Sequence, residues 1–248
     1  MPGFLAAAVP LAAADGPVAP WAGFPRQEYA WAQQVVGAAH RDLNQVKAVV
    51  EVHPAAVNAA VDWGFGDWET PLGAASHTGR REIAEYLIEN GARLDIFAAA
   101  MLGMTEVVKT MVAARPGIEA TLGPHGIPLL SHARVGGERA KETLAYLETL
   151  PAAGRGIPTP PLVAERRKLF AGVYQIEGGP RAEIKLLSPD QLGLLVEGAS
   201  PRLHHAGNEV FYPAGVPRVR VEFEMKEGKP AGMRITDGPL VVHAKRID

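Results

Sequence analysis

Cysteine is missing from all 248 residues, which excludes disulfides, thiol nucleophiles and zinc–thiolate sites. It leaves the compartment open. Charge imbalance is missing too: 25 Lys and Arg against 27 Asp and Glu leave a net charge of -2, no footing for electrostatic binding of nucleic acid. There is no P-loop, kinase signature or serine-hydrolase elbow. Gly64-Phe65-Gly66 lacks the third glycine and the strand-to-helix setting of a dinucleotide loop. Ser76-His77 cannot be a nucleophile and its base, because adjacent helical side chains diverge by about 100°. No catalytic residue and no cofactor is assigned.

Long apolar runs are scarce as well. Phe4 to Ala14 is too short to span a membrane, and no Lys or Arg precedes it to make a basic n-region. Ala12-Ala13-Ala14 before Asp15 still has the small-residue pattern of a cleavage site. Read as the end of a secretory signal that starts upstream, it implies an extracytoplasmic protein, periplasmic or secreted. Read as a leader, it leaves the protein cytoplasmic. Gly16 to Arg26, with three prolines and Trp21, is expected to run extended, and residues 1–32 are taken together as leader and N-terminal segment.

What the chain does have, from residue 33, is helical periodicity. Thr70-Pro71 predicts a helix start, the hydroxyl capping orphan amides and proline occupying the first position. Leu72, Ala74 and Ala75 fill that helix, Gly79 ends it, and Glu82, Ile83, Tyr86 and Leu87 begin a second that closes at Asn90-Gly91. Weaker copies of this unit are read at Val35–Ala39 with Leu43, Val46, Val49 and Val50, at Phe97–Val112, and at Gly126–Leu150. Their spacing resembles the ankyrin family over residues 33–150, about four repeats of about 33 residues each. That resemblance implies an α-solenoid that holds a protein partner on its concave face. Gly73 and Ser131 stand where that family commonly has a histidine.

Composition then changes. Residues 151–161 hold four prolines, and 151–168 read as a Pro-rich linker. From 169 to 248 the period becomes two: in Arg218-Val219-Arg220-Val221-Glu222-Phe223-Glu224-Met225 every second residue is apolar, a half-buried strand. Further strands are predicted at 173–176, 184–187, 192–196, 210–212, 233–235 and 240–243, giving a small antiparallel sheet or partly closed barrel. Ala171-Gly172-Val173-Tyr174, Phe211-Tyr212-Pro213, Gly232-Met233-Arg234-Ile235 and Ala244-Lys245-Arg246 resemble the accessory β domain of β-lactamase-like serine hydrolases. With no hydrolase domain beside it, that resemblance implies no hydrolase activity. The expected fold class is multidomain α+β, a solenoid followed by this sheet.

Two constellations stand out as sites. Asp62 to Glu69 packs two tryptophans, a phenylalanine and three carboxylates into eight positions, more than a turn requires. Exposed loop aromatics anchor partners, although tryptophans folded beneath the loop would serve as core. Trp63, Phe65 and Trp68 are the candidate anchors, with Asp67, Glu69, His77, Arg80 and His132 supplying polar complementarity. Histidines are the second group: His77, His125 and His132 fall where they can line one side with Asp67, Glu69 and Arg134. No pair of them has the i, i+4 spacing of a helical metal motif, so no metal site is assigned. Arg80-Arg81 and Arg166-Arg167-Lys168 read as solvated surface.

The expected function is a non-catalytic scaffold that binds a protein partner through the aromatic loop. Two alternatives remain: a metal- or small-molecule-binding enzyme or sensor built on the His/Asp/Trp cluster, and a ligand site in the β domain lined by Tyr174, His204 and Tyr212.

Overall fold

The computed structural model describes residues 28–197 and 201–248. The apolar leader and the extended segment with Trp21 lie outside them. Among the described residues the chain is α+β, an N-terminal helical region followed by a C-terminal antiparallel barrel of eight strands. No helix of the described residues is long and apolar enough to cross a membrane.

The helical region is built of antiparallel pairs. They are α1 (Tyr29–Ala39) with α2 (Leu43–Val52), α3 (Pro71–His77) with α4 (Arg81–Glu89), α5 (Ile96–Leu102) with α6 (Thr105–Ala114), and α7 (Leu129–Val135) with α8 (Lys141–Glu148). The first helix of each pair packs against that of the next, which small side chains allow. Ala74, Ala75, Ala98, Ala99 and Ala100 are wholly buried. Thr70 accepts a hydrogen bond from the Gly73 amide at 3.0 Å, and Pro71 takes the first helical position, as the Thr-Pro step predicts.

The resemblance to an ankyrin solenoid is corrected here. The pairs are not copies of one unit: a short hairpin of β1 (Val61–Asp62) and β2 (Trp68–Glu69) precedes α3. Helix α5 starts directly after the Asp95 cap, and a 3₁₀ stretch separates α7 from α8. Beyond the helices the chain forms a closed barrel.

Ala153, in the Pro-rich segment, is wholly buried and its carbonyl accepts from the Leu130 amide. Thr159 and Tyr212 share a hydroxyl hydrogen bond at 2.8 Å. Helix α9 (Ala164–Phe170) begins inside the predicted linker 151–168, runs two residues past its end and drops Phe170 into the barrel core.

The barrel strands are β3 (Gly172–Ile176), β4 (Arg181–Ser188), β5 (Gln191–Leu195), β6 (Arg202–Gly207), β7 (Val210–Pro213), β8 (Arg220–Lys226), β9 (Lys229–Asp237) and β10 (Leu240–Arg246). Neighbours in sequence pair in order, and β10 closes onto β3. Seven of these strands are predicted by alternation. The eighth, β6, is not, because Leu203 is its one fully buried residue. Its insertion between β5 and β7 turns the predicted curled sheet into a closed barrel, which removes every sheet edge. Inside, Phe170, Tyr174, Phe211 and Phe223 contact one another edge-on or tilted.

Candidate metal centre and cleft

The hairpin loop between β1 and β2 is held in shape by Asp62, whose Oδ1 accepts from the amides of Gly64 at 2.8 Å and Gly66 at 3.0 Å. Phe65 adopts φ 59° between two glycines that are also left-handed, which turns its ring onto the barrel core. Arg218, at the foot of β8, donates to the Phe65 carbonyl at 3.1 Å and pairs with Asp237. The loop therefore bridges the helical region and the barrel.

Beneath it, His40, Glu69, His77 and His125 converge, each offering a ligand atom within 4.8 Å of the others. They come from four separate segments. His40 follows α1, Glu69 lies on β2, His77 ends α3, and His125 sits in the 3₁₀ turn Pro124–Gly126. Because α1 packs against α3, the histidines at their ends meet, with ring centroids 5.1 Å apart. His77 and His125 stand 5.4 Å apart and nearly perpendicular.

The carboxylate of Glu69 is the hub. Its Oε2 accepts from Trp63 Nε1 at 2.7 Å, and its Oε1 lies 2.8 Å from His77 Nε2 and 3.5 Å from His125 Nε2. His40 Nε2 lies 3.6 Å from Oε2. Burial pushes Glu69 upward, but hydrogen bonds from His125 and His77 and the neighbouring imidazole charge outweigh it and hold the carboxyl at about 2.

His125 is positioned by Asp67 twice over: its backbone amide donates to Oδ1 at 2.9 Å, and its Nδ1 lies 2.7 Å from Oδ2. That grip stabilises a left-handed backbone, φ 61°, which a non-glycine residue adopts only at some cost. Burial lowers the imidazole pKa, yet the bonds to Asp67 and Glu69 and their charges overcome this and raise it to about 9. Gly215, in the barrel loop after β7, packs against the same carboxylate so closely that a Cβ there would stand 2.6 Å from Asp67 Oδ1.

Two of the three imidazoles thus have the outer nitrogen engaged, His125 Nδ1 by Asp67 and His40 Nδ1 by the Val36 carbonyl at 2.9 Å. This leaves each Nε2 facing the hub. It is the arrangement that orients histidine ligands in metal centres.

The structure gathers Trp63, Asp67, Glu69, His77 and His125 into one site and leaves other candidates outside it. His132 is wholly buried in α7, its Nδ1 on the Pro128 carbonyl and its Nε2 without a partner among the described residues. Arg80 donates to the His40 carbonyl, steadying that residue from behind. Arg134 is exposed, and Trp68 is 61% exposed. Tyr174 is barrel core, its hydroxyl donating to the Phe170 carbonyl, and burial pushes it up to about 12.

Sequence reading misses His40. The available signal is positional: His40 follows Val35–Ala39 much as His77 follows Leu72–Ser76, each at the end of the first helix of a pair.

A cleft of about 640 Å³ opens above the three histidines, with Glu69 buried beneath them. Trp63, Ile127 and the three histidines form its helical wall, and Leu187, Arg202, His204 and Ala214 form its barrel wall. Compared with family models and with curated proteins, the chain matches none. Neither the ankyrin resemblance nor the hydrolase-associated β domain is carried further, and the site stands on its own geometry.

Proposed function

We propose that this protein holds a divalent transition metal ion of the zinc class with His40, His77, His125 and Glu69, and presents it to a small molecule in the cleft between helices and barrel. The observation that carries this reading is the convergence of three imidazoles and a carboxylate within 4.8 Å. Ligand atoms around one tetrahedral zinc stand roughly 3.3–3.5 Å apart, given bonds of about 2.0–2.1 Å, so a modest contraction completes the shell. Three nitrogens and one oxygen suit zinc and its imidazole-binding neighbours. The cleft volume falls within the range of about 300–1,000 Å³ typical of small-molecule sites. With four protein ligands in place, such an ion would supply Lewis acidity to a carbonyl or a water by accepting it as a fifth ligand from the cleft.

Equilibrium dialysis of chelator-stripped protein against Zn²⁺ and Co²⁺, followed by elemental analysis, tests this. One tightly held ion per chain is expected, lost in a His40→Ala, His77→Ala double variant whose circular dichroism is unchanged. Equal retention by wild type and double variant defeats the reading.

A scaffold role has one observation in its favour, the exposure of Trp68. On that reading Trp68→Ala removes partner binding and leaves the ion in place, while Trp63 and Phe65, engaged with Glu69 and the barrel core, act as structure.

A further inference from the structure

Resting on the metal reading of the same cleft, we infer that its occupant is a small organic oxyanion with an apolar body, and that Arg202 on β6 is the residue that selects it. Four features of the cleft wall converge on that chemistry. First, the Arg202 guanidinium has no hydrogen bond or ion pair with any described side chain or carbonyl, while its own carbonyl accepts from Ala214 and fixes the strand. Of the exposed arginines elsewhere on the barrel, Arg218 pairs with Asp237 and Arg234 with Glu222, while Arg181 on β4, outside the cleft, shares with Arg202 the lack of a partner among the described residues.

Second, the acidic groups near the cleft are already occupied. Asp67 is bound to His125, and Glu69 is shared among Trp63, His77 and His125. Neither is left to neutralise Arg202. Third, His204, stacked on Tyr212 beside Arg202, is disfavoured as a cation, because burial and then the arginine charge lower its pKa. Arg202 is thus the permanent cation of the barrel wall. Fourth, Ile127, Leu187, Pro201 and Ala214 give the space between Arg202 and the histidine cluster apolar sides.

A guanidinium recognises carboxylate or phosphate through paired, charge-assisted hydrogen bonds. A ligand seated there has its oxyanion on Arg202, its apolar part along Ile127 and Leu187, and its other end over the histidine cluster. Arg202 is in this sense a specificity residue contributed by the barrel, and the helical region alone makes only half of the site.

Trp63 lines the cleft, so tryptophan emission reports occupancy. Full-length protein, chelator-stripped and zinc-loaded, is titrated with phenylacetate, phenyl phosphate and the neutral isostere phenylacetamide. The variants are Arg202→Gln and, as a charge control outside the cleft, Arg134→Gln.

Binding of at least one anion is expected, tenfold or more tighter than the amide and weakened tenfold or more by Arg202→Gln alone. The ratio of the two anion affinities identifies the preferred head group. Equal affinity for anion and amide, an Arg202→Gln protein that binds as wild type does, or no response to any probe overturns the inference. Its fate is separable from that of the metal. Anion binding that depends on Arg202 in a protein taking up no zinc upholds the oxyanion site and removes the ion, whereas zinc uptake without Arg202-dependent binding does the reverse.

Discussion

The turn Pro124–Gly126 and the helix α7 that succeeds it carry two histidines that the fold sends to opposite fates. His125 meets two carboxylates and is pushed up to about 9. His132, seven residues on, is buried against Phe97 with its Nε2 unpartnered among the described residues, and that burial lowers it to about 4. Burial disfavours charge in both places, and only the presence of Asp67 and Glu69 reverses the sign. A histidine's role in this molecule is therefore set by what meets its second nitrogen, which residue spacing does not reveal.

Deleting each ring in turn has the largest expected effect. His125→Asn keeps a residue tolerant of left-handed backbone but leaves two buried carboxylates without their cation. It is expected to cost about 3–5 kcal/mol of folding stability, read by urea denaturation of metal-free protein. His132→Leu removes an orphaned polar atom and is expected to change stability by less than about 1 kcal/mol. Similar losses for the two variants would erase the distinction.

A pH series separates the two rings next. A group raised in the fold stabilises fully below its unfolded value, so the His125 contribution is present below about 6.5 and is lost as pH rises through about 9. A group lowered in the fold does the opposite: the penalty from His132 is absent above about 6.5 and grows as pH falls toward about 4. Each flank amounts to roughly 3 kcal/mol at 1.36 kcal/mol per pH unit. In metal-free protein His125→Asn is expected to flatten the alkaline flank, and His132→Leu the acid flank between 6.5 and 4. Glu69 adds its own loss at the acid end, between about 4.5 and 2.

A smaller effect separates the ligand from its support. Asp67→Asn keeps the shape of the side chain but weakens its hold on His125 Nδ1, and outer partners of this kind are worth about 10–100-fold in metal affinity. Zinc competition against a chromophoric chelator is expected to show that loss, with His132→Leu at wild-type affinity. An unchanged affinity in Asp67→Asn would show that the 2.7 Å contact orients nothing.

These contrasts also explain what was legible in the chain. Alternation announces β8 because Val221 and Phe223 point inward from a strand of charged neighbours, whereas β6, with His204 and His205 only half-buried, carries no such signal. Helix pairs are legible from Leu72, Ala75, Ile83 and Leu87, but the ankyrin solenoid read from the same spacing is overturned, because regularity depends on how the pairs stack. The crowding of Asp67, Glu69, Trp63 and His77 around one loop is visible as composition. The addition of His40 and Arg202 is not: one arrives through the packing of α1 on α3, the other across the gap to the barrel, and neither distance is written in sequence spacing.

The smallest test asks how tightly the silent histidine is held. A Cβ built on Gly123 stands 3.0 Å from His132 Cε1, 3.2 Å from its Nε2 and 3.3 Å from Phe97 Cδ1, closer than side-chain contacts normally come. Gly123→Ala must therefore displace an imidazole that its Pro128 hydrogen bond and the Phe97 ring already fix, at an expected cost of about 1 kcal/mol for mild overpacking. In a His132→Ala background the obstruction is gone and the same substitution should cost almost nothing, so the coupling in the double-mutant cycle isolates the contact. Additive effects would mean that the pocket around His132 yields freely. Its lowered pKa would then reflect a loosely enclosed ring rather than a rigid apolar cage, and the contrast with His125 would narrow to the carboxylates alone.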